Sequence, residues 1–377
     1  MAVKVSRSRA FFRTAWIGSA VAALLTILIV SRYDRPKISA PTDHIAPWSM
    51  QPLKQVYFIE INDNVRITEH IPLEFHSVND ESLIHLPLLR WCIIFVHILT
   101  GAFFSTPTIK ALLVSLAWFY SAFLIKQLAT HIASKNNARR TLGLWIAAPC
   151  VGIPSIFLGN CDYFFMMFAF AALVAQQEKQ KNFLQIMTTL GFLAHPFLWP
   201  ILLYINLRSW RMWRYRPWRI VASVIPLVAY FGVLIATTNQ NILSILASLT
   251  HTQFIKNSVY YGPFHGWIDA FRTGHITDYA NLVMSLFFVI IATTTLGSWY
   301  KKRLWAPCLA LNAPYVIVAI MVSAEDLFWT TRWGSLILVS ASMQYHLGKN
   351  PIIHKLLHAA IGLGCLSQVL WVAYVIG

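Results

Sequence analysis

The chain has 377 residues, 57% of them hydrophobic and 12% charged, with a mean hydropathy of +0.57. An ordinary soluble core cannot hide that much apolar surface, so the composition excludes a water-soluble domain and implies a polytopic membrane protein. The net charge of +16 would point to nucleic acid in a soluble protein, but here Lys and Arg gather in short stretches between apolar runs, where they read as topology signals.

The first apolar run, 14–31, follows Lys4, Arg7, Arg9 and Arg13 and has no small-x-small cleavage pattern behind it. It reads as a retained signal anchor with a cytoplasmic N-terminus. Residues 32–82 then form a polar stretch expected to be the first extracytoplasmic loop. It holds Asp34, Asp43, Glu60, Asp63, Glu69, Glu74, Asp80 and Glu81, eight of the chain's 14 carboxylates. Further apolar runs follow at 83–104, 107–125, 141–158, 163–175, 183–207, 219–237, 281–298, 304–322, 331–346 and 356–376. Since about 20 residues cross a hydrocarbon core of about 30 Å, the expectation is an all-α protein with about 9 to 11 transmembrane helices. The whole chain, 1–377, reads as one membrane domain, with 238–280 as a second large extracytoplasmic loop.

Lys135, Arg139 and Arg140, then Arg208 through Arg219, then Lys301, Lys302 and Arg303, then Lys349 and Lys355 all argue for the cytoplasmic side. Trp210, Trp213 and Trp218 among the second group suit an interfacial belt. Full crossing by every run would put the basic stretch 126–140 outside. The run 83–104 is therefore expected to lie along the interface, interrupted as it is by His85, Pro87, Arg90 and His97. The run 183–207 is expected to break at His195, Pro196 and Pro200 into two half-helices that enter and leave on the cytoplasmic side. Thirteen of the 14 acids then face outward, and Glu178 alone stays inside. The five cysteines, Cys92, Cys150, Cys161, Cys308 and Cys365, show no disulfide or zinc spacing.

A signal anchor, an acid-bearing first outer loop, Gly159-Asn160-x-Asp162 opening an apolar helix, and Gly191-Phe-Leu-Ala-His195-Pro196 in a broken segment together resemble the GT-C superfamily of membrane glycosyltransferases. Glu325-Asp326-x-x-Trp329-x-x-Arg332-Trp333 is similar to the acidic-then-Arg stretch before a late helix in some members. The chain departs from the family in having no Asp-x-Asp pair in the first loop and no Trp-Asp dipeptide. The resemblance implies transfer of a sugar, with mannose a member of the class, from a polyprenyl-phosphate donor to a glycan or lipid acceptor on the extracytoplasmic face. The bilayer is then the remaining partner. It implies a multi-pass protein of a bacterial inner membrane or the endoplasmic reticulum, without an obligatory cofactor, because cations can neutralise the leaving lipid phosphate.

Such a transfer needs a carboxylate to take the acceptor hydroxyl proton, a contribution of about two to four orders of magnitude. Asp34, just past the anchor, is the first candidate; Asp43 comes next, followed by Asp80 and Glu81 where the chain returns to the membrane. An acid on a water-exposed loop is usually a solvated surface charge, and each of these four is readable as one. Asp162, wedged between apolar runs, calls for a partner or an aqueous cavity, or serves as a helix N-cap. Arg332 and Arg272 are the cations for the donor phosphate, with an ion pair to Glu325 and Asp326 as the alternative for Arg332. The aromatic set Tyr260, Tyr261 and Trp267 beside Arg272 either stacks on sugar or beds its loop in the interface. His195 either contacts phosphate or satisfies backbone groups freed by Pro196. No metal-ligand spacing is present. Two other classes fit a polytopic chain with outer loops: a polysaccharide polymerase or ligase of the O-antigen type, and a non-catalytic transport or assembly subunit.

Overall fold

Ten helices and no strand account for the described residues of the computed structural model, which are 2–32, 88–100, 106–132, 135–148, 162–194, 198–209, 218–238, 264–273, 279, 282–283, 285–292, 294 and 351–376. They are α1 (Ala2–Arg32), α2 (Leu88–Leu99), α3 (Thr106–Ile132), α4 (Lys135–Ala147), α5 (Asp162–Gln177), α6 (Lys181–Ala194), α7 (Trp199–Arg208), α8 (Trp218–Thr238), α9 (His265–Thr273) and α10 (Pro351–Ile376). The all-α expectation is met. Among the described residues one stretch, Leu112–Thr130 in α3, is long and apolar enough to cross a membrane.

The turn between α5 and α6 sets the direction of the centre. Lys179 takes a left-handed φ of 58°, its N–H bonds Gln176 O at 3.3 Å, and Gln180 N–H bonds Ala175 O at 2.9 Å. These two bonds are a Schellman cap, which ends α5 and reverses the chain. α6 climbs back along α5, so that Gly191 lies against Phe168. The chain then reverses again. Gly191 also meets Leu202, and Trp199 Nε1 donates to Phe192 O at 2.9 Å, satisfying a carbonyl in the last turn of α6. At the other end of α7, Gln176 Nε2 donates to Ser209 Oγ at 2.9 Å and to Ile205 O at 3.3 Å. The pair α6–α7 is thus a helical hairpin that starts and finishes beside the α5–α6 turn. With 14 and 10 residues, its arms reach about 21 and 15 Å, too short for a membrane crossing of about 30 Å. The break expected within 183–207 is therefore found, between Ala194 and Leu198.

Three other helices climb in parallel with α6. Phe11 stacks on His358 with ring centroids 5.0 Å apart, Gly18 meets Cys365, and Ser19 Oγ donates to Gln368 Oε1 at 3.2 Å, so α1 and α10 keep one offset along their lengths. Gly143 of α4 lies against Phe11 and Ala15, and Gly364 against Ala147, which gives α4 the same direction. α3 descends beside α5, because Gln127 near its end bonds Glu178 just past the end of α5. α8 climbs beside α6, joined at the bottom by Arg219 Nη1 donating to Asn182 Oδ1 at 2.9 Å.

One end of the bundle therefore gathers the start of α1, the junction of α3 and α4, the α5–α6 turn, the end of α7 and the starts of α8 and α10. Lys4, Arg7, Arg9, Arg13, Lys126, Lys135, Arg139, Arg140, Lys179, Lys181, Arg208, Arg219 and Lys355 belong to these stretches, with Glu178 the only acid. This is the basic end. The stretch 126–140 differs from its expected form as a loop: all of it but residues 133–134 is helical, and Arg140 is buried. Correspondingly, the helix expected over 141–158 begins earlier, at Lys135, and stops at Ala147.

At the far end α1 finishes and α3 begins, so the stretch between them leaves and returns at the same end. α2 lies within it, only 12 residues long, with Leu88 and Leu89 buried and Phe95, Ile98 and Leu99 exposed. The core is apolar and aromatic, with Trp145 T-stacked on Phe170 at 5.3 Å. The flanks are apolar too: Ile17, Leu24 and Leu28 on α1, Leu116, Phe119 and Phe123 on α3, and Val221, Ile225 and Val228 on α8 are each more than half exposed.

Candidate functional site

At the far end lie Asp162 and the end of α1, which adjoins Asp34 in the chain. α5 begins at Asp162, so this carboxylate-bearing residue occupies the first turn, at the positive end of the helix dipole. α1 ends at Arg32, two residues before Asp34 in the chain. Taking 1.5 Å per residue, Asp162 stands about 12 Å past the Phe170–Trp145 contact and Arg32 about 21 Å past the Gly18–Cys365 contact. Asp34, Asp43, Asp80, Glu81, His195 and Arg332 lie outside the described residues.

Arg272 is in the last turn of α9 and exposed. It shares a helical stripe with His265 and Asp269, whose Nδ1 and Oδ2 lie 2.7 Å apart, one turn along. The neighbouring stripe, about 100° round the helix, is Phe264, Ile268 and Phe271, apolar and exposed, and Phe271 stacks edge-on against Tyr279 at 6.4 Å. Trp267 points the third way, packed on the core with its ring 6.1 Å from Phe264. An amphipathic helix with one stripe open and greasy is suited to lying in a lipid interface.

Glu178, the acid expected to stand apart from the others, is engaged structurally. It accepts hydrogen bonds from Gln127 Nε2 and, at 2.7 Å, from Gln180 Nε2. Among the described residues no three His, Cys, Asp or Glu side chains gather as a metal site would require.

Sequence reasoning missed the buried polar residues. Gln368 is fully buried; its Nε2 donates to Ile146 O at 3.1 Å and Ala148 O at 3.0 Å, and its Oε1 accepts from Ser19. Asn206, 1% exposed, has neither amide atom hydrogen-bonded. Asn182, Gln185 and Thr189 line one side of α6 facing α8. Their spacing of three and four is a helix-face signal that a search for acids and cations passes over.

Compared with known proteins, the chain matches no family model, no curated protein and no solved structure.

Proposed function

We propose that this chain is a polytopic membrane glycosyltransferase of the GT-C type, moving a sugar from a polyprenyl-phosphate donor to a glycan or lipid acceptor at the far, extracytoplasmic end of the bundle. One observation carries the reading: the bundle sorts its termini. Basic helix ends collect at one pole, while the end of α1, which leads into the acid-rich stretch, and the start of α5 at Asp162 share the other. The positive-inside bias makes the basic pole cytoplasmic. Apolar flanks on α1, α3 and α8 supply the lipid-facing surface such a protein needs, and the short α6–α7 hairpin packs on α5 and α8.

In the proposed reaction the acceptor hydroxyl oxygen attacks the anomeric carbon, Asp34 takes the hydroxyl proton, and the bond from that carbon to the phosphate oxygen breaks. Polyprenyl phosphate leaves with its electron pair, stabilised by cations, Arg332 first and Arg272 beyond it. Asp43, Asp80 and Glu81 are the further candidates for the base, Asp162 for binding substrate and His195 for contacting the donor phosphate.

The test is transfer by purified protein from polyprenyl-phosphate mannose or glucose to endogenous lipid-linked acceptor. Asp34→Asn is expected to lower the rate at least about a hundredfold with expression intact, the scale of general-base assistance. Full activity in that variant removes Asp34 from the mechanism. Absence of transfer by the wild-type chain with both donors counts against the enzyme reading itself.

A further inference from the structure

We propose that the groove between α6 and α8 holds one anionic phospholipid of the cytoplasmic leaflet, its phosphate at Arg219 and Asn182 and an acyl chain running up along Ile186, Leu190 and Ala222. This rests on the membrane-spanning part of the reading above and is independent of the chemistry at the far end.

The groove has a volume of about 410 Å³ and is lined by Asn182, Gln185, Ile186, Thr189, Leu190 and Ala222. It changes character along its length. At the basic end Asn182 and Gln185 present amides, and Arg219 stands beside this mouth, its Nη1 donating to Asn182 Oδ1 at 2.9 Å and its guanidinium 5.8 Å from the Trp218 ring. Lys179 and Lys181, both exposed, adjoin the same mouth in the chain. Farther up, the Thr189 hydroxyl donates to Gln185 O at 2.8 Å within its own helix, so the wall there is presented by Ile186, Leu190 and Ala222. Ile186, and Val221 and Ile225 on the same helix as Ala222, are exposed. A cavity polar and cationic at the depth of headgroups and apolar above it matches an amphiphile oriented tail-inward. The arginine fork suits a phosphate, while a Trp at that level suits the interface. A zwitterionic lipid offers the same phosphate but brings an ammonium against Arg219, Lys179 and Lys181, so net negative headgroups are preferred.

The experiment is native mass spectrometry of the full chain in detergent, titrated with phosphatidylglycerol or phosphatidylcholine. One phosphatidylglycerol should be retained at least about tenfold more strongly than phosphatidylcholine, as losing a charge-assisted hydrogen bond changes binding by about that factor. Arg219→Gln should remove the preference, and Ala222→Trp, which fills the groove without touching the charge, should lower retention of both lipids. Equal retention of the two lipids, or unchanged retention in Ala222→Trp, overturns the proposal. Displacement by inorganic phosphate overturns it as well, assigning a free-anion site instead. Alkaline extraction of membranes separates the two failures. Release of the chain ends the membrane reading and this proposal together; retention in the bilayer without lipid preference ends this proposal alone.

Discussion

Two fully buried amides give opposite expectations. Gln368 ties three helices: it caps the last carbonyls of α4 at Ile146 and Ala148 and accepts from Ser19 of α1. Gln368→Leu keeps the volume roughly but strands two carbonyls in a dry seam, at a cost of about 1–3 kcal/mol per orphaned group at most. A melting temperature several degrees lower in detergent is expected. Asn206 has both amide atoms unpartnered, so Asn206→Leu removes desolvated polar groups and loses no bond. It should leave stability within about 0.5 kcal/mol of wild type or raise it. A loss as large as that of Gln368→Leu would mean that a water or ligand atom bonds the amide of Asn206. Neither position was legible from the sequence, because a lone Gln or Asn in an apolar run looks alike whether it is capped or stranded.

The hairpin α6–α7 shows what a sequence carries about an element. Pro196 and Pro200 signal a break, since proline removes an N–H and clashes with the preceding turn, and the described helices do stop at Ala194 and resume by Trp199. The hairpin's closeness is carried by Gly191, where a Cβ would come within 2.6 Å of Leu202 Cδ1 and 3.2 Å of Phe168 Cβ. Gly191→Val should therefore wedge α6 from both α5 and α7, costing about 1–3 kcal/mol, the range for overpacking a tight interior. Gly232→Ala, in α8 with nothing within 4 Å, is the matched control and should be neutral or stabilising. Comparative thermal unfolding of the two variants checks this. The boundary of α4 was not legible in the same way. Lys135, Arg139 and Arg140 look like a loop by charge, yet lysine and arginine are good helix formers, and α4 takes them in from Lys135 onward.

At the scale of the molecule, the sorting of charge was legible in outline because Lys and Arg stretches mark one side wherever short connections hold them there. Among the described residues α1 ends and α3 begins at the far end, while α6 begins and α7 ends together at the basic end. The candidate site was legible only as residue types at one pole, since pairing a base with a phosphate-binding cation depends on loop conformations that no helical period encodes. The polarity of the bundle is nevertheless testable as a whole. A cysteine in place of Asn160, two residues before α5 in the chain, should react with an impermeant maleimide on intact cells. A cysteine in place of Gln180, in the turn at the basic end, should react only after permeabilisation. Both variants belong on a background with the five native cysteines changed to Ala or Ser. The opposite pattern would invert the molecule and move Asp34 and Asp162 to the cytoplasmic side, where an outward-facing transfer cannot use them. Labelling of both positions from outside would leave α5 uncrossed and break the link between the acid-rich stretch and the start of that helix.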